Sequence, residues 1–113
     1  MTNLQRLMLE IKGIELDQNE LAVYLEESGL KAHHEYNPQS ATAKRNIYKT
    51  ALSVLESIAN NPSLMKTYKL EDMTISDFHE NLLNRIDQLE RKIRSMKTDE
   101  ENERGNVFML FNS

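Results

Sequence analysis

Cysteine is absent from the sequence, and with it go disulfide frameworks, thiolate metal sites and cysteine nucleophiles. Glycine (3) and proline (2) are almost as scarce in a chain of 113 residues. That leaves little material for the tight turns of hairpins and favours helices over a sandwich or barrel. Long apolar runs are missing too. In the opening stretch "MTNLQRLMLEIKG", Gln5, Arg6 and Glu10 interrupt the apolar residues. The sequence therefore offers neither a signal-peptide core nor a transmembrane span, and the expected location is the cytosol or something assembled there, without a membrane partner. An excess of positive charge is also lacking: the formal net charge is −4, with 28% charged and 39% apolar residues. This balance belongs to a soluble globular chain, and the overall charge does not suggest nucleic acid. A chain of this length is expected to form one domain with a modest core, burying about two-thirds of the surface it exposes when unfolded.

What the sequence does contain is helical patterning. Leu4, Leu7, Met8 and Ile11 share the i, i+3, i+4, i+7 spacing of one helical face, and Gly13 follows as a stop. In "LDQNEL", Asp17 and Glu20 stand at capping-box spacing, with Leu16 and Leu21 placed as a hydrophobic staple. This second helix carries Leu21, Tyr24 and Leu25 inward and ends at "SGL", where Gly29 can take the left-handed cap and Leu30 can pack back. A polar connector, "KAHHEY", leads to Asn37 and Pro38, expected as the N-cap and first residue of a long central helix. Its apolar stripe of Ala41, Ile47, Tyr48, Ala51, Leu52, Val54, Leu55, Ile58 and Ala59 is broad enough to be covered on two sides. Asn61 and Pro62 repeat the device to start a short helix whose Leu64, Met65 and Tyr68 lid the core. Thr74 and Asp77 form another cap-like pair, with Met73 and Phe78 at staple spacing. From there Ile75, Phe78, Leu82, Ile86, Leu89, Ile93 and Met96 make a stripe that is heptad-like only from Leu82 onward, too short for a coiled coil. Asp87 with Arg91 and Glu90 with Arg94 are acid-first i, i+4 pairs on its solvated side. The expected fold is all-α: a compact bundle of about four helices plus a short lid helix over residues 1–96.

Chemistry-bearing patterns are few. His33, His34 and Glu35 are adjacent on a connector and do not converge on an ion as i, i+4 helical ligands do, and His79 has no partner histidine four residues away. No G-x-S-x-G, glycine-rich phosphate loop, H-E-x-x-H or apolar carboxylate pair is present. The reading is of a protein that is not an enzyme and needs no metal or cofactor. Leu82, Ile86, Leu89 and Ile93 are a candidate helix–helix interface. Between residues 85 and 97, Arg85, Arg91, Lys92, Arg94 and Lys97 outnumber Asp87 and Glu90, leaving a local surplus of three positive charges. A salt-bridged solvated face is one reading, and contact with phosphate or an acidic partner is the other. Without an interleaved aromatic or a reading motif, any DNA contact there would be non-specific.

Residues 97–106, "KTDEENERGN", contain no apolar side chain and read as a polar tether. Beyond it, 107–113 is an apolar tail. Val107, Phe108, Met109, Leu110 and Phe111 include β-branched and aromatic residues and are too few for a stable helix. The segment either folds back to cap the core or acts as a lone strand that completes a partner's sheet edge. As a strand, Val107, Met109 and Phe111 face one side and Phe108 and Leu110 the other. Left unpaired, such a segment is an aggregation hazard.

The order short helix, capped helix, long "YNP…ANNP" helix, short lid and final "DMTISDFHENLLNRIDQLERKI" resembles the head–tail connector (adaptor) proteins of tailed bacteriophages over roughly residues 1–96. The resemblance rests on layout. It implies a structural virion protein of the neck, assembled in the host cytoplasm as a ring, commonly of about twelve copies, in which each copy offers two different complementary surfaces. The ring would sit under the portal protein, extend the DNA exit channel and present a surface to the next neck or tail-completion protein. "KLEDMTISDF" would fall where relatives carry a loop or hairpin, although the glycine- and aromatic-containing hairpin sequence of many relatives is not found here. The tail would fall where relatives reach into the portal. The alternatives are a small cytosolic helical regulator that dimerises through its last helix, or a chaperone or scaffold acting only during assembly.

Overall fold

A computed structural model describes residues 1–12, 14, 16–68 and 73–96. The fold is all-α and compact. Among the described residues five helices follow one another: α1 (Asn3–Glu10), α2 (Gln18–Glu27), α3 (Ala41–Ala59), α4 (Pro62–Tyr68) and α5 (Ile75–Ser95). The short lid is α4. The tether and the apolar tail lie outside the described residues, as do Gly13 and Lys69 to Asp72.

Side-chain caps set most of the helix starts. Thr2 and Gln5 close a full capping box: Thr2 Oγ1 accepts from the Gln5 amide at 3.2 Å, and Gln5 Oε1 accepts from the Thr2 amide at 2.8 Å. Thr74 Oγ1 accepts from the Asp77 amide at 3.0 Å and starts α5 as the sequence implies. Asn61 Oδ1 accepts from the Ser63 and Leu64 amides, so Asn61 with Pro62 does start α4. Two expectations are corrected. The Asp17–Glu20 box does not form: Asp17 is the N-cap of α2, but its side chain accepts no capping bond. Its backbone sits at φ −56°, outside the −75° to −89° of Thr2, Ser40 and Thr74, the caps that do form. Asn37 and Pro38 do not open α3 either. Asn37 Oδ1 accepts from the Gln39 amide and its carbonyl accepts from Ser40, a turn that hands the capping role to Ser40, whose Oγ accepts from Ala43 at 3.0 Å. The end of α2 follows expectation. Gly29 adopts φ +85°, its amide donates to the Glu26 carbonyl, and the Leu30 amide donates to Leu25, the two bonds of a Schellman cap.

In the assembled bundle α3 is central, packing against α1, α2, α4 and α5. Ile47, Tyr48, Ala51, Val54, Leu55, Ile58 and Ala59 are buried along it. Thr50 is buried among them because its hydroxyl donates back to the Asn46 carbonyl at 2.7 Å and leaves only methyl and methine outward. Leu4, Leu7 and Ile11 come from α1 and its C-cap, Leu21 and Leu25 from α2, Met65 from α4, and Leu82, Leu89 and Ile93 from α5. At roughly 1.5–3 kcal/mol for each large apolar side chain fully buried, this cluster is the main favourable term in folding. Met8 departs from its expected inward position and is 43% exposed. Burial of Asn3 rotates the buried arc of α1 toward that side, and at 100° per residue Met8 is left at its edge.

The "KAHHEY" connector is more ordered than its polarity suggests. The Asn3 and Leu4 amides donate to the carbonyls of His34 and Ala32, both at 2.9 Å, and the Tyr36 amide donates to the Met1 carbonyl at 2.8 Å. Asn3 Nδ2 donates to the Lys31 carbonyl at 2.8 Å, which accounts for a buried asparagine. With Gln5 bonded to Thr2, the first three amides of α1, normally without partners, are all satisfied.

Candidate functional site

The five sequence-predicted tail residues, Val107 to Phe111, and Lys97 lie outside the described residues. The other candidates fall on α5, where they divide. Leu82, Leu89 and Ile93 are buried in the chain's own core, and Ile86 is half-buried against it. The stripe is spent on packing against α3, so a dimer formed through it would require α5 to leave that helix.

The basic residues of α5 are also largely engaged within the chain. Arg85 Nη2 donates to the carbonyl of Glu10 at 2.9 Å, supplying a cation at the C-terminal end of α1, where the helix dipole favours one. Lys92 places its ammonium 4.9 Å from the centroid of the Tyr48 ring. Arg91 pairs with Asp87 at 3.0 Å, an exposed contact, as the i, i+4 spacing implies. Arg94 donates from Nε to the Glu90 carbonyl at 3.4 Å rather than meeting that carboxylate. Arg85 and Lys92, with Glu10, Gln88 and Leu89, line a hollow of about 340 Å³ between the end of α1 and α5.

A second cationic cluster was not legible in the sequence. The Arg6 guanidinium carbon stands 5.6 Å from the Tyr36 ring centroid and 5.8 Å from that of Tyr48, with Arg6 Nη1 3.4 Å from Glu10 Oε2. Tyr48 thus has Arg6 and Lys92 at its ring. Burial of Arg6 works against its charge, but the Glu10 carboxylate and Tyr36 outweigh it, and its pKa is raised above the ordinary arginine value. The i, i+4 spacing of Arg6 and Glu10 was the available signal. The two tyrosines come from other parts of the chain and gave none.

A groove of about 540 Å³ lies between α2, α3 and α4. Leu16, Val54, Ile58 and Leu64 contribute its apolar side chains, and Tyr24 spans it by donating to Ser57 Oγ at 2.8 Å. Glu20, Val23 and Glu27 lie along its α2 side. Val23 is 54% exposed, off the Leu21/Leu25 face of its helix. An exposed valine between exposed glutamates was the only sequence sign of this groove.

Among the described residues, no group of three or more His, Asp or Glu side chains is arranged to hold a metal ion. His33, His34 and Glu35 are all exposed. No described helix is long and apolar enough to cross a membrane. No family profile matches the chain, nor does any curated protein or solved structure.

Proposed function

We propose that the protein is a structural component of a phage virion, a head–tail connector that assembles as a ring under the portal protein and carries the DNA exit channel toward the tail. It works by positioning other proteins and not by catalysis. The observation that carries this reading is a division of the chain. The described residues, drawn from all five helices, close an apolar core among themselves. The sequence then runs through ten residues without an apolar side chain before Val107–Phe111. A finished domain followed by a spacer and a short apolar segment is the layout of a part that grips something else. Strand addition to a portal edge uses such a segment directly, since main-chain hydrogen bonds supply affinity and alternate side chains fill pockets. Individually weak insertions are sufficient because every contact after the first is intramolecular once a ring meets a ring. Arg91 and Arg94 are exposed on α5, and their contacts with Asp87 and the Glu90 carbonyl lie at the surface, where phosphate in the channel can compete for them without reading sequence.

Deletion of residues 105–113 tests the tail. The truncated protein is expected to lose co-sedimentation with purified portal rings while keeping the far-ultraviolet circular dichroism of its helices. Unchanged binding removes the tail from the mechanism.

A further inference from the structure

We propose that copies of this chain join head to tail, with the exposed Met8–Leu9 edge of α1 on one copy seated in the α2–α3–α4 groove of the next. Two independent surface features meet in this proposal. The groove offers half-buried Leu16 and Leu64 over a floor of buried Val54 and Ile58, with the exposed carboxylates of Glu20 and Glu27 on its α2 side, and Val23 is 54% exposed there. Elsewhere on the molecule, α1 exposes Met8 (43%) and Leu9 (54%), with exposed Lys12 one residue past its C-cap. An apolar patch beside a cation is thus matched to an apolar groove beside two anions. Apolar patches rimmed by charge mark protein contacts, and opposite potentials across a contact fix its register.

The two features lie on different elements. α1 contributes no residue to the groove, so one copy can engage two different neighbours through the two patches. Such a contact repeats around a ring when the rotation closes, and propagation beyond two chains tells it from a reciprocal two-fold pair. The chain's own tail is a poorer occupant. Its tether carries Asp99, Glu100, Glu101 and Glu103 against Lys97 and Arg104, and that net negative charge is repelled by Glu20 and Glu27. The inference rests on the ring-forming reading and names the surfaces that would build the ring.

The absence of cysteine makes the test direct, since any introduced thiol is unique. Leu9→Cys and Val23→Cys are made separately in the full chain, at positions exposed enough to leave the fold unchanged, as circular dichroism verifies. An equimolar mixture treated with a short bismaleimide is expected to give a cross-linked dimer of the two variants, with each variant alone giving several-fold less. The doubly substituted chain is expected to give a ladder, and cross-linking that stops at the dimer overturns the head-to-tail arrangement. Lys12→Glu in the Leu9→Cys chain lowers the yield several-fold, and Glu20→Lys with Glu27→Lys in the Val23→Cys chain restores it.

Dominant Leu9–Leu9 or Val23–Val23 position dimers overturn the proposal, as does the absence of a mixed cross-link at millimolar concentration. A mixed cross-link that appears only after residues 97–113 are deleted also overturns it, by making the tail the occupant in the full chain. Sedimentation equilibrium and portal co-sedimentation separate the two readings. Oligomers or portal binding without the mixed cross-link defeat this interface and leave the connector intact. The mixed cross-link without portal binding does the reverse.

Discussion

Arg6 concentrates several weak effects on one side chain. Each ring contact is worth about 0.5–2 kcal/mol depending on how far it is desolvated, and the Glu10 pair adds a fraction of that. Arg6→Ala is expected to lower the unfolding free energy by about 1–2 kcal/mol, read from urea denaturation. Arg6→Lys should recover only part, because a compact ammonium lacks the broad, forked guanidinium that reaches Glu10 while standing near both the Tyr36 and Tyr48 rings. The contribution should be insensitive to pH in the neutral range. A raised folded-state pKa gives stabilisation that is complete below the unfolded value and lost only as pH climbs through the folded one, and both lie at or above the ordinary arginine value. Any change in denaturation midpoint between about pH 5 and pH 9 therefore belongs to other groups. That Arg6 is held in this way could be foreseen only as far as Glu10, its neighbour one turn along. Tyr36 and Tyr48 reach it through the packing of distant segments.

At the scale of the element, the described caps separate residues that look equivalent in sequence. Thr74→Ala should cost about 1 kcal/mol in urea denaturation, since it removes a capping bond to Asp77, whereas Asp17→Ala should fall within a few tenths because Asp17 makes none. Equal costs at the two positions would contradict the structure. The helices themselves were legible because apolar spacing and terminal residues act locally, within one or two turns. The errors arose where two local devices competed. Ser40 captured the start of α3 from Asn37, and Asp17 held an N-cap position in a backbone conformation that makes no side-chain bond. Met8 was misplaced for a different reason: the buried arc of α1 is set by its partners, among them the connector carbonyl that accepts from Asn3. The α2–α3–α4 groove has no local cause at all. It exists only once three helices have met.

Across the whole molecule, α3 is the element every other helix needs, so the bundle should unfold as one unit. A chain ending at residue 96 is expected to keep its helical circular dichroism and a single cooperative thermal transition, because the described residues of all five helices already share one buried cluster. A broad or lost transition would mean that residues 97–113 complete the core. The N-terminal pairing bears on motion instead. Chain termini ordinarily fray, yet the Asn3 and Leu4 amides are bonded to residues 34 and 32, and that of Tyr36 to Met1. Their hydrogen exchange is therefore tied to one event, the parting of α1 from the 31–36 segment. All three should exchange slowly and with a common protection factor, which makes the front edge of this chain one of its quiet regions.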